Sequence, residues 1–274
     1  MRKKISFQPT RVYQLFAGRV EVFCFGKMGF PFELHHVCQV ADDLGVNRIL
    51  RPQTHTFNAI VCEPEELTRV DHSVAGRIEV RSGVLADGVI IPKGKVALFQ
   101  TRDCPTIITL NQKTGEVAAA HAGRDSLLDR ELILTGDPSR PFKSVVDAIV
   151  DRLVGDKPNG HSAYLEVFSC IGIEARRFRH ASDEPTYGYF NNRMSRYLVA
   201  EYGPDCLLDG NIEIGAIKLH RLIRNQFQRL GVMPDFISND EREVGTGTQS
   251  DFFYSRRNGE NHGHNVILVH NRSP

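Results

Sequence analysis

Cys104 and His121 are the side chains in this sequence best suited to chemistry, and both lie in one stretch, Thr101 to Arg124, which reads TRDCPTIITLNQKTGEVAAAHAGR. Asp103-Cys104-Pro105 opens it. A β-branched run follows from Thr106 to Leu110, then a polar turn from Asn111 to Gly115. A small apolar run from Glu116 to Ala120 leads into His121-Ala122-Gly123. Two such runs on either side of a Gly-containing loop predict adjacent strands. If they pair, Cys104 and His121 come to the same end of the hairpin and face one cleft. A thiol and an imidazole placed so suit a soft metal such as zinc, or a Cys–His nucleophile pair.

The elements that must position this stretch can be read along the chain. Lys95 to Thr101 is a clear strand that runs straight into Asp103-Cys104, so the cysteine sits at a strand's C-terminal end. Val12 to Phe25 reads as two strands with a turn at Ala17-Gly18-Arg19. Asp42 to Arg48 reads as the opening of a short helix with an acidic N-cap. Asn58 to Cys62, Arg77 to Val80 and Val84 to Ile91 read as strands, with a bend at Ala86-Asp87-Gly88, and Glu63 to His72 as exposed polar chain. After His121 the period changes. Phe142, Val145, Val146, Ile149 and Leu153 recur at helical spacing, predicting an amphipathic helix over Pro141 to Val154 that Gly155 ends. Tyr164 to Phe168, Phe236 to Ser238 and Asn265 to His270 read as strands. Asn191 to Tyr202 and Ile217 to Leu230 read as helices. Strands lead and helices follow, which predicts an α+β fold of layered mixed sheets with outer helices, formed by residues 1–274 as a single catalytic domain.

Composition narrows the function classes. The 274 residues are 41% hydrophobic and 24% charged, with a net charge of +1. That balance supplies no electrostatic drive toward nucleic acid or an anionic membrane. No apolar run approaches the ~20 residues of a membrane span, and no apolar segment follows the basic N-terminus as a signal peptide requires. Six scattered cysteines do not form a disulfide framework. Cys24, Cys38, Cys62, Cys170 and Cys206 lie in apolar sequence and are expected as buried small hydrophobes. The expected compartment is the reducing cytoplasm. Eleven histidines make metal or acid–base chemistry worth seeking. His262 and His264 share a face of an extended segment, and His35-His36, read as strand residues, cannot.

Several pieces in order resemble the laccase-domain family, also called multicopper polyphenol oxidases and associated with purine nucleoside phosphorylase activity. They are Gln53-Thr54-His55, Ala86-Asp87-Gly88, Thr101-Arg102-Asp103-Cys104-Pro105 and Val117 to Gly123. Asn225-Gln226-Phe227 with Gly231-Val232, then Phe252-Phe253-Tyr254-Ser255-Arg256-Arg257, complete the set. The chain departs from the family where Arg124-Asp125-Ser126 replaces Trp-Arg-Gly, and where only Ile171-Gly172 remains of an Ile-Gly-Pro segment.

The resemblance implies a zinc ion held by His55, Cys104 and His121. Three N and S ligands leave one tetrahedral position open, as catalytic zinc requires. It implies Asp103 as a base or as the group that orients a ligand histidine, and a purine nucleoside with phosphate as small-molecule partners. Phosphorolysis of adenosine, inosine, guanosine or methylthioadenosine, with adenosine deamination beside it, is the implied activity. Gln53, Arg124, Arg256 and Arg257 are then the substrate-binding candidates, since a guanidinium fork suits phosphate. Other readings carry different requirements. A copper-dependent polyphenol oxidase needs His-x-His pairs, and only His262-Gly263-His264 has that spacing. A cysteine hydrolase would use Cys104 as nucleophile and His121 as base. A non-catalytic relative would keep the metal for stability.

Overall fold

The structure is a computed structural model that describes residues 7–27, 33–54, 59–74, 76–137, 142–155, 161–240, 252–259 and 263–272. Among these, the chain begins with strands β1 (Arg11–Leu15) and β2 (Val20–Phe25), helix α1 (Leu34–Asp43), and strands β3 (Arg48–Leu50) and β4 (Val61–Cys62). Strands β5 (Arg69–Val74), β6 (Ile78–Ser82), β7 (Gly88–Ile91), β8 (Lys95–Thr101), β9 (Thr106–Asn111) and β10 (Val117–His121) follow. Helices α2 (Arg124–Leu127), α3 (Arg130–Thr135) and α4 (Val145–Val154) precede strand β11 (Leu165–Cys170). Helices α5 (Gly188–Tyr202) and α6 (Leu219–Arg229) and strands β12 (Ile237–Asn239) and β13 (Asn265–Asn271) complete the order.

The strands form two mixed sheets. One has the order β1-β2-β13-β8-β3-β6-β5, the other β12-β11-β9-β10-β7-β4. Side-chain alternation explains how they stack. In β10, Val117 and Ala119 point into a core shared with Val20, Val22, Ala97, Phe99, Ile267 and Val269 of the first sheet. Ala118 and Ala120 point the other way, into a core with Val146, Ile149 and Leu153 of α4 and Leu222, Ile223 and Phe227 of α6. On the outer face of the first sheet, Phe23, Leu98 and Leu268 meet Val37, Val40 and Ala41 of α1. The architecture is therefore α+β, helix–sheet–sheet–helix, as the switch of period along the sequence predicts. Strands β9 and β10 are covered on both faces, which is why they read as unbroken apolar runs.

Local reading and structure differ at several elements, each for a physical reason. The helix opened at Asp42 in the sequence reading actually ends there: α1 runs Leu34–Asp43, and Gly45 leaves it with φ +74°. Its apolar residues Val37, Cys38, Val40 and Ala41 are buried against the sheet. His35 and His36 are accordingly helical, not strand residues. The polar stretch after Glu63 holds β5, which among the described residues is an edge strand paired with β6, and whose exposure hides its pattern. Helix α4 begins at Val145 because Ser144 and Asp147 form a reciprocal capping box. The Pro141 proposed for its first turn lies outside the described residues. Phe253 is core, but Phe252 is about half exposed. All five cysteines expected as hydrophobes are buried. No described helix is long and apolar enough to cross a membrane.

One contact sets how closely β7 and β10 approach. Gly88 pairs with Ala120, and a Cβ on Gly88 would come within 2.6 Å of the Ala120 Cβ and 2.7 Å of the Ala119 carbonyl oxygen. Gly88→Ala is expected to cost about 1–3 kcal/mol through overpacking. The urea midpoint should fall accordingly, and an unchanged midpoint would show that the two strands have room to separate.

Candidate active site

The hairpin of β9 and β10 brings the predicted pair together. Its antiparallel register sets His121 opposite Thr106, two residues after Cys104. The Ala122 N–H donates to the Pro105 carbonyl at 2.8 Å, closing the two strand ends on each other. The His121 N–H donates to the Asp87 carbonyl at 2.8 Å, so the strand that begins at Gly88 delivers a carboxylate to the same place. Asp87 Oδ1 lies 3.6 Å from His121 Nδ1, and both side chains are buried. This is a charge contact, longer than a hydrogen bond.

Charge on His121 is decided by competition. Burial alone lowers an imidazole pKa. Here Cys104 and the Asp87 carboxylate outweigh burial and raise it to about 10. Cys104 is half-buried, the only cysteine among the six that reaches the surface. Gly123 gives the pair its space: a Cβ there would lie 3.1 Å from His121 Cε1 and 3.4 Å from Cys104 Sγ.

Asp103 takes another place. Its carboxylate accepts a hydrogen bond from the Ser255 hydroxyl at 2.6 Å and from the Arg256 N–H at 3.1 Å. Its carbonyl accepts from the Ile173 N–H at 2.8 Å. Asp103 thus fastens the Ser255-Arg256-Arg257 segment and the turn after β11 to the cysteine loop. The carboxylate beside His121 is Asp87.

The cationic candidates divide. Arg124 opens α2 directly after Gly123. Asp125 holds its guanidinium through Nε at 2.8 Å and Nη2 at 3.1 Å, and its Nη1 meets His180 Nδ1 at 3.4 Å. The Phe190 ring lies 5.7 Å beneath it. Arg257 sits 5.4 Å from the Phe178 ring, and burial together with Arg124 and Arg256 pulls its pKa down. His180, buried edge-on against Phe178, is pushed to about 3 by burial and by the charges of Arg124 and Arg257. Arg124, Arg257 and His180 therefore share one locality. Arg256 is exposed and contributes its backbone N–H. Gln53 is half-buried, bridged to Leu85 and bonded through its backbone to Val84 and Ala86, just before Asp87. His55 and His262 lie outside the described residues.

The residues present suit a metal such as zinc. Cys104 and His121 supply soft S and N donors side by side, and Asp87 stands behind the imidazole as carboxylates do behind ligand histidines. A separate cluster, Glu33, His35 and His36, has ligand atoms within 4.8 Å of one another but is largely exposed.

No family model matches the chain, and no curated protein sequence does. Solved structures do resemble it. YlmD from Geobacillus stearothermophilus superposes with a TM-score of 0.65 at 17% identity, over 98% of this chain and 99% of that one. The hypothetical protein YfiH of Bacillus licheniformis gives 0.61 at 15%, over 86% and 80%. Neisseria meningitidis NMB0706, described as a DUF152 protein, gives 0.59 at 17%, over 93% and 95%. The chain has the YfiH-type fold. The α+β fold of layered mixed sheets expected from the sequence is the fold observed.

Sequence reasoning quoted Asp87 and Ser255 within motifs without giving either a role, and it missed His180. An acidic residue just before a buried strand was the available signal for Asp87. His180 had none, since only folding brings residue 180 against Arg124 and Arg257.

Removing the Asp103 carboxylate should loosen the site without touching the Cys104–His121 pair. Asp103→Ala leaves the buried Ser255 hydroxyl and the part-buried Arg256 N–H unpaired and should cost about 1–3 kcal/mol, read as a lower thermal midpoint. Asp103→Asn should recover part of it, and equal loss in both variants would show that the hydrogen bonds are not the cause. Acid supplies a second check. His220 is buried and pushed down to about 4 by burial, partly opposed by Asp240. It stays neutral in the fold while the unfolded chain takes up a proton below about 6.5. Stability should therefore fall as pH drops from about 6.5 to 4. His220→Gln should flatten that slope in thermal midpoints, and an equal slope would mean other groups govern it.

Proposed function

We propose that this protein is a metal-dependent purine nucleoside enzyme, a zinc phosphorylase acting with phosphate, with adenosine deamination as a side activity. The observation that carries this reading is the meeting of the Cys104 thiol, the His121 imidazole and the Asp87 carboxylate at one strand end, beside the Arg124–Arg257 locality. Cys104 and His121, with His55 as third ligand, would hold the zinc. When bound, zinc supplies positive charge to polarise a substrate oxygen and one open position.

The chain's own residues do the rest. Asp87 faces His121 Nδ1 and so holds the ring in one orientation. Arg124 retains N–H donors beyond those used by Asp125 and His180, and Arg257 is an exposed residue beside it. Together they offer an anion a bidentate seat. Phosphate held there would be positioned for attack on the glycosidic carbon, a gain in effective concentration more than in bond-making power. Asp103 contributes by pinning Arg256 and Arg257 through its hydrogen bonds.

A second reading is favoured by Asp87. Thiol, imidazole and carboxylate in that order are the parts of a Cys–His–Asp hydrolase, in which Cys104 would attack an acyl carbon and His121 would move the proton.

Incubation with inosine or adenosine, with and without phosphate, distinguishes them. Phosphate-dependent release of hypoxanthine or adenine is expected, lost on chelation and in Cys104→Ser, with about one zinc per chain by elemental analysis. No base and no ammonia from the zinc-loaded protein would overturn the reading. Metal-free protein whose Cys104 is alkylated with loss of an amidase or esterase activity would establish the hydrolase instead.

A further inference from the structure

Next to the cysteine loop lies a cleft of about 290 Å³ that the site described above does not use. Its floor is the turn that leaves β11. Ile171 there has φ +45°, an unfavourable conformation for a β-branched residue. Such strain persists only where surrounding structure enforces it, and it concentrates at functional sites. Gly172 follows because nothing larger fits: its Cβ would lie 2.7 Å from His220 Nε2 and 2.9 Å from Pro105 Cγ. The next residue, Ile173, donates its N–H to Asp103. The floor of the cleft is thus bonded directly to Asp103-Cys104-Pro105.

His220 is built into the wall. It is 8% exposed, and its Nδ1 is held by the Ser169 hydroxyl at 2.8 Å. Among the described residues its Nε2, at the cleft beside Gly172, has no hydrogen-bond partner. A buried ring locked by one nitrogen and bare at the other has its remaining valence reserved for something that enters. The other walls are Ile173, Leu208 and Leu219, with half-buried Glu174 and Lys218 and exposed Arg176 completing the lining. Apolar sides, one buried directional polar side chain and a volume at the small end for ligand sites suit a single planar heteroaromatic ring. The cations Lys218 and Arg176 and the carboxylate Glu174 suit a ring that carries both a carbonyl oxygen and a ring N–H.

We infer that this cleft is the nucleobase subsite, and that His220 Nε2 recognises a ring nitrogen of an oxopurine whose sugar extends toward Cys104. The inference rests on the nucleoside reading above. Ser169 is the positioning residue that fixes the ring.

Calorimetry with free hypoxanthine tests the cleft without requiring turnover. Wild-type protein is expected to bind it. His220→Leu should weaken binding by about tenfold, the loss of one hydrogen bond, with His220→Gln recovering part. Among the 1-, 3- and 7-deaza analogues, one should bind wild type about tenfold more weakly yet bind His220→Leu as hypoxanthine does, a pattern that mere disturbance of the fold would not produce. Should His220→Leu fail to fold, Ala175→Trp, which fills the cleft from its lining, should abolish binding while zinc content stays unchanged. Absence of hypoxanthine binding to wild type, or binding indifferent to both variants, would overturn the inference. Binding without any phosphorolysis would uphold the subsite and sink the phosphorylase. Phosphorolysis with KM for inosine unmoved by His220→Leu would do the reverse.

Discussion

The antiparallel pairing of β9 with β10 is the constraint on which the site depends. Backbone register leaves no freedom: with His121 opposite Thr106 and the Ala122 N–H on the Pro105 carbonyl, the thiol and the imidazole must share one end of the hairpin. A slip of one residue would turn His121 to the opposite face and exchange the helix-facing and sheet-facing alanines. Both faces of these strands are buried, so such a slip would spoil two cores at once. The chemistry is therefore protected by packing that does no chemistry.

Around that hairpin, buried charge is distributed by hydrogen bonding. The two aspartates near the cysteine look interchangeable by type but are not by environment. Asp87 has its carboxylate beside the imidazole, where it favours the charged ring. Asp103 spends its oxygens on Ser255 and the Arg256 backbone, and so closes a loop of more than a hundred residues onto the cysteine turn. Burying a carboxylate is costly unless such donors are supplied, and each aspartate's partners decide its work. The same rule separates the two buried imidazoles, His180 and His220. At both, burial outweighs any nearby carboxylate, Asp240 at His220 included, and both stay neutral.

The strained turn at Ile171-Gly172 belongs with this arrangement. It stands between the cysteine loop on one side and His220 on the other, and the approach of Pro105 and the imidazole leaves no space for a side chain at Gly172. An unfavourable φ at a β-branched residue survives because Ile173 is bonded to Asp103 and Cys170 is locked into β11.

Much of this was legible without coordinates. The period-2 and period-3.6 patterns located β1, β2, β8 to β10 and α4 to α6, because burial of one stripe writes itself into local sequence. The Thr-x-Asp-Cys-Pro and His-Ala-Gly segments marked Cys104 and His121 through the motifs of a known family. Local sequence misled at α1, whose buried face is interrupted by polar residues, and at β5, an exposed edge with little to bury. What amino-acid order alone determined was the hairpin and the thiol and imidazole at its end, since those depend on neighbours a few positions apart. Only the tertiary structure decided that Asp87 and not Asp103 faces His121, that His180 lies between two arginines, and that His220 overlooks Gly172. Those relations join residues tens to hundreds of positions apart, and their energies come from burial and charge that exist only after the sheets have stacked.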